Sequence, residues 1–165
     1  MEMLHKVLDI LSAVEGAMNM VLEELRKQGE TRSGGYLTLF HATNQQMIFS
    51  IPLGEIPKEK EEKYQTLSLE KAIRLSGKLD DGDASSWQSR DPEKQRWGGA
   101  VSIGEGFILS FSGLPELVDE ALVLLIAMDA TENEGLMMPV AEQIARTSDN
   151  KLFQRIMSIL PSTSE

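Results

Sequence analysis

Residues 96–128, RWGGAVSIGEGFILSFSGLPELVDEALVLLIAM, decide the fold, because they read as a tight hairpin running straight into a buried helix. Gly98 and Gly99 open the stretch, Val101 and Ile103 supply a short strand, and Gly104-Glu105-Gly106 makes the turn. Residues 107–111 return as a second strand, and Ser112-Gly113 with Pro115 starts a helix. Val118, Ala121, Leu122, Leu124, Leu125 and Ile126 make that helix apolar on nearly every side. Such a helix belongs at the centre of a core.

Upstream, the same order of elements occurs once before. Leu4, Val7, Leu8, Leu11, Val14, Met18, Val21, Leu22 and Leu25 recur at steps of three and four, predicting a helix over 3–27 with one apolar stripe. Gly16 interrupts it, and close packing against a neighbour is one reason to find a glycine there. After Gln28-Gly29 and a turn-rich TRSGG, residues 36–41 and 47–51 read as an antiparallel hairpin around Asn44-Gln45-Gln46, closed by Pro52 and Gly54. The charge run PKEKEEK then opens a second helix that ends near Gly77. Residues 79–96 are polar and turn-prone, a long loop or lid with Trp87 in it.

Downstream, residues 131–135 break the chain, and two shorter helices follow over 139–146 and 150–160, the second capped by Ser148 or Asp149. The order helix, hairpin, helix, hairpin, helix predicts an α+β fold (α-β-β-α-β-β-α): an antiparallel sheet of two hairpins flanked by helices, with a C-terminal helical appendix. At 165 residues, with no linker-like stretch, this is one domain, an α+β core over 1–130 and a helical extension over 131–165.

Composition narrows the chemistry. Twenty-six acids against 16 bases give a charge of -10, and no basic cluster stands against it, which argues against nucleic acid. The absence of cysteine removes disulfides, thiolate nucleophiles and zinc-thiolate sites. No apolar run approaches the roughly 18 residues of a membrane span, and Glu2, Lys6 and Asp9 break up any leader-like start, so a cytoplasmic protein is expected.

Gly98-Gly99 before a strand, Ser112-Gly113 at the mouth of a helix, Asp119 and Ala121 within that helix, and Lys71-Ala72 late in the second helix together resemble the GlcG/HbpS-like haem-degrading domain family. The resemblance covers roughly residues 3–128 and implies a profilin-like α+β fold, with haem or a corrinoid as the ligand class. The chain differs from the family in carrying Phe107 and Ser110 in the last strand and Val101 after the glycine pair.

Five residues are candidates for ligand binding: His41, Trp87, Trp97, Ser112 and Gly113. His41 closes a strand, where an imidazole can reach a ligand, although a satisfied surface histidine is the plainer reading, as it is for His5. Trp87 and Trp97 flank the polar loop and either cover a ligand or pin the loop to the core. Ser112 and Gly113 stand where helix N–H groups face an anion, or Ser112 is simply an N-cap. Asp80, Asp81, Asp83 and Asp91 lack calcium-loop spacing, and no nucleophile elbow, Walker loop or dinucleotide fingerprint occurs in strand-to-helix context. No catalytic residue and no metal ligand is therefore assigned.

The expectation is a small cytoplasmic ligand-binding or sensory module without strong catalysis of its own, partnered by a small molecule and by further copies of itself. The alternative is a regulatory adaptor that docks protein partners through its acidic surface and C-terminal helices.

Overall fold

The computed structural model describes residues 2–131 and 137–160, so most of the break expected over 131–135 lies outside them. Helix α1 (Glu2–Lys27) leads into β1 (Gly35–His41), β2 (Gln46–Leu53), α2 (Glu61–Ser76), β3 (Ala100–Ser102), β4 (Phe107–Ser112), α3 (Glu116–Ala130), α4 (Met137–Ser148) and α5 (Lys151–Ile159). The fold is α+β, with both expected hairpins present in one antiparallel sheet of order β2-β1-β4-β3. The hairpins join through β1 and β4, which pair from Tyr36 opposite Ser112 to His41 opposite Phe107.

Strand alternation assigns the two faces of the sheet. Leu37 and Leu39 on β1, with Phe107, Leu109 and Phe111 on β4, share a core with α1 and α3. Phe40 and Ile108 turn the other way and pack with Ala72 and Leu75 of α2. That second face is partly polar: Ser68 donates to Thr38 Oγ1 at 2.8 Å, and Ser110 Oγ donates to the Ser68 carbonyl at 2.8 Å. Small hydroxyl residues there let α2 lie close to the strands while Thr38, Ser68 and Ser110 keep their buried hydroxyls satisfied.

Every residue of α3 from Val118 to Ala127 is buried, as its all-round apolar sequence requires. Its remaining surface is covered by α4 and α5, whose Met137, Ala141, Ile144, Leu152, Phe153 and Ile156 belong to the same core. The C-terminal helices are thus continuous with the domain's interior.

Several local expectations are corrected. The α1 stripe divides in two: Ile10, Ala13, Ala17, Val21 and Leu25 face α3, whereas Leu4, Leu8 and Leu11 are 53, 51 and 41 % exposed. Small alanines set the buried face because α1 and α3 approach closely, and a reading weighted toward large side chains passes over them. Pro52 lies inside β2 and not beyond it, which is tolerated because β2 is an edge strand. Ser112 is the last residue of β4, and α3 begins only at Glu116, after Pro115. At α5 the cap is Asn150, whose Oδ1 accepts the Phe153 N–H at 3.1 Å.

Gly16 is exposed, and a Cβ built there meets nothing within 4 Å, so no packing demands it. Gly16→Ala is expected to raise stability by about 0.5–1 kcal/mol, through helix propensity and a less mobile unfolded chain. Urea denaturation followed by circular dichroism measures this, and an unchanged or lower midpoint contradicts it.

Candidate functional site

The turn from β4 into α3 is shaped by glycines that meet backbone. Gly113 has φ +150, and a Cβ on it would stand 2.3 Å from the Gly34 carbonyl oxygen and 2.4 Å from Gly35 Cα. The Ser112-Gly113 and Gly34-Gly35 backbones therefore cross at a distance no side chain permits. Gly113 is a packing glycine, set at the edge of a cleft.

Asp119, one turn into α3, reaches back over this turn. Its Oδ1 accepts the Leu114 N–H at 2.9 Å, and the Gly113 N–H also bonds to its carboxylate. The donors that Ser112-Gly113 were expected to offer an anion are consumed by the chain's own carboxylate. Its Oδ2 takes Lys71 Nζ at 3.1 Å, and the same ammonium donates to the Phe111 carbonyl at 2.7 Å. The pair is buried, with side-chain exposures of 1 % for Lys71 and 4 % for Asp119. Gly99, at φ +119, makes room for it: a Cβ there would come within 2.8 Å of Lys71 Nζ. Burial pushes the Asp119 carboxyl up to about 6, against the opposing pull of Lys71 and the two backbone donors.

A second carboxylate straps the polar loop. Arg90 grips Glu116 with Nε at 2.9 Å and Nη2 at 2.7 Å, and the Gly98 N–H adds a third bond at 2.7 Å. The guanidinium also lies 4.4 Å from the centroid of the Trp87 ring. The Trp97 carbonyl accepts from Arg74 Nη2. Residues 79–99 are consequently a loop of short 3₁₀ turns fastened to α2 and α3, and not a free lid.

Between α2, the end of this loop and the turn into α3 lies an open cleft of about 470 Å³, with Lys71 and Asp119 among its lining. Tyr64 and Lys63 of α2 stand on one side, Gln95 and Trp97 on another, and Ser112–Glu116 on the third. A neighbouring hollow of about 370 Å³ shares Arg32, Tyr64 and Gly113 with it. Of the five candidates, Trp97, Ser112 and Gly113 thus line one cleft. Trp87 packs behind it, with its ring 2.9 Å from where a Cβ on Gly98 would stand. His41 is at the far end of the sheet, about 17 Å away along five strand residues, its ring tilted against Phe107 at 4.8 Å between centroids and its Nδ1 buried and unpartnered. No group of three or more His, Asp or Glu side chains converges as for a metal ion among the described residues.

The sequence reading assigned none of Lys71, Asp119 and Glu120 to a site. Glu120 is fully buried on the other side of α3, where its Oε2 accepts Ser148 Oγ at 2.5 Å and Asn150 Nδ2 at 2.8 Å. Its Oε1 has no partner, and burial raises its pKa. The available signal was an Asp-Glu pair inside VDEALVLLIA, where charge interrupts a run that is otherwise wholly apolar.

The chain matches no protein-family model, no curated protein and no solved structure.

Removing one partner of a buried ion pair strands the other charge, so Lys71→Met is expected to cost about 3–5 kcal/mol. Lys71→Met combined with Asp119→Asn is expected to recover part of that loss; equilibrium denaturation of both variants decides, and additive losses refute coupling. Glu120 gives a pH signature. Because its folded-state pKa lies above the free value of 4.5, its protonated form is the one folding favours, and its contribution falls as pH rises through 4.5. Glu120→Gln is therefore expected to gain stability relative to the parent as pH is raised from 4 to 7 in denaturation series (about the carboxylate range). A difference that stays flat with pH rejects this assignment.

Proposed function

We propose that the protein is a non-catalytic module that binds a small molecule in the cleft between α2, the Trp97 end of the loop and the turn into α3. The observation that carries this reading is the Lys71–Asp119 pair, a buried ammonium and carboxylate lining an open cleft of about 470 Å³. Clefts of roughly 300–1,000 Å³ with aromatic walls and a few fixed polar groups are the usual form of a ligand site. Tyr64 and Trp97 are such walls, and the pinned loop makes the site preformed.

Catalysis is not part of the reading, because the carboxylates near the cleft are held in structural bonds and no histidine lines it. The resemblance to the GlcG/HbpS-like family supports ligand binding at the level of fold and brings haem and corrinoids in as ligands to try. Titration with haemin and with a cobalamin tests that version directly, and the absence of a Soret shift or of saturable binding removes it.

The broader reading is tested by screening fragment mixtures against ¹⁵N-labelled protein. Bound fragments are expected to shift the amides of Leu67, Gln95 and Trp97; a set of hits that leaves all three unmoved ends the assignment of this cleft.

A second reading, an adaptor that docks a protein partner, is favoured by one observation. Leu4, Leu8 and Leu11 form an exposed apolar row on α1, the face of that helix turned away from the core. Replacing Leu8 by Glu is expected to abolish co-purification of any such partner while leaving the fold intact.

A further inference from the structure

Resting on the cleft as a ligand site, the hydrogen-bonding account of its walls says what kind of ligand it takes. The carboxylates are spent. Both oxygens of Glu116 are taken by Arg90, and one of them also by the Gly98 N–H. Both oxygens of Asp119 are taken as well, by Leu114 N–H and by Lys71. The donors are not spent. The side chains of Lys63, Tyr64 and Trp97 carry no hydrogen bond or ion pair to any described residue. Lys71, with three protons, meets two acceptors, the Phe111 carbonyl and Asp119, and has one N–H left over.

A wall with surplus donors and saturated carboxylates selects an acceptor-rich, negatively charged ligand, and it does so within a chain whose overall charge of -10 repels anions elsewhere. The aromatic rings add a second requirement, since Tyr64 and Trp97 offer flat apolar surface to a ring. We infer that the cleft takes a small planar molecule carrying an anionic oxygen group, carboxylate or phosphate, with its ring against Tyr64 and Trp97 and its anion toward Lys63 and Lys71.

The test compares three probes of one shape: 2-naphthoate, 2-naphthyl phosphate and the neutral 2-naphthamide. Trp87→Phe leaves Trp97 as the only indole, and its ring N–H resonance reports occupancy of the cleft. Either or both anions are expected to bind saturably and shift that resonance, about tenfold tighter than the amide. Lys63→Glu is expected to weaken the anions about three- to fivefold and leave the amide unchanged, as loss of one partly exposed charge contact implies. Which of the two anions binds tighter separates carboxylate from phosphate. If the amide binds as tightly as the anions, or Lys63→Glu changes nothing, the anionic class is wrong while the cleft remains a ligand site. If no probe, charged or neutral, moves the Trp97 resonance, the inference and the reading beneath it both fail.

Discussion

The ion pair between Lys71 and Asp119 is the constraint on which the rest of the structure depends, because among the described residues it bonds α2, β4 and α3 together at a single point. Lys71 comes from the helix on one face of the sheet and Asp119 from the helix on the other, and they meet near the C-terminal end of β4 at the Phe111 carbonyl. Taking an ammonium and a carboxylate out of water costs several kcal/mol each, and attraction between them offsets this only when the remaining bonds are also made. Here they are largely made: Asp119 holds the Leu114 N–H, and Lys71 holds a backbone oxygen. Such a pair adds little net stability, but it fixes the register of two helices on opposite faces of one sheet. Gly99 follows as a necessity of that register, since the space a Cβ needs is occupied by the ammonium.

Asp119 and its neighbour Glu120 divide the work of α3 between two directions. Successive helix residues point about 100° apart, so one carboxylate turns toward α2 and the other toward the C-terminal helices. Asp119 is met by a cation, whereas Glu120 is met only by the neutral Ser148 and Asn150. The second arrangement suits a carboxylic acid better than a carboxylate, in keeping with the raised pKa and the short contact to Ser148. Asn150 does double duty: its amide nitrogen bonds Glu120 and the Leu117 carbonyl while its oxygen caps α5. One buried polar cluster thereby places both C-terminal helices, and they belong to the core on physical grounds even though they follow a break in the pattern.

How much of this was legible in the sequence depends on range. Elements governed by neighbours in the chain were readable: the Gly104-Glu105-Gly106 turn forms with φ of 92, 57 and 83, and the all-round apolar helix is the buried α3. Features governed by distant partners were not. The division of α1 into a buried alanine face and an exposed leucine row depends on the close approach of α3, which no local period reports. Ser112 looked like a cap because it precedes a helix, but Asp119 reaches back to perform that task from inside the helix, and Ser112 stays in the strand. Trp97, Ser112 and Gly113 do converge on one cleft, whereas His41 was grouped with them only because it too ends a strand. It ends β1 at the opposite end of the antiparallel β1–β4 pair, beside Phe107.

The glycines near the cleft show why residue type alone misleads about function. Gly98, Gly99 and Gly113 look like a phosphate-cradling set, yet each answers to the protein itself: Gly98 to the Trp87 ring, Gly99 to the Lys71 ammonium, Gly113 to the Gly34 carbonyl. Two of their N–H groups are not presented to a ligand, because Gly98 donates to Glu116 and Gly113 to Asp119. Specificity therefore passes from the backbone to the side chains left with unspent donors around the same space. An anion site made of lysine, tyrosine and tryptophan side chains in this way is open to tuning by single substitutions, whereas the glycines beneath it are held by sterics and admit none.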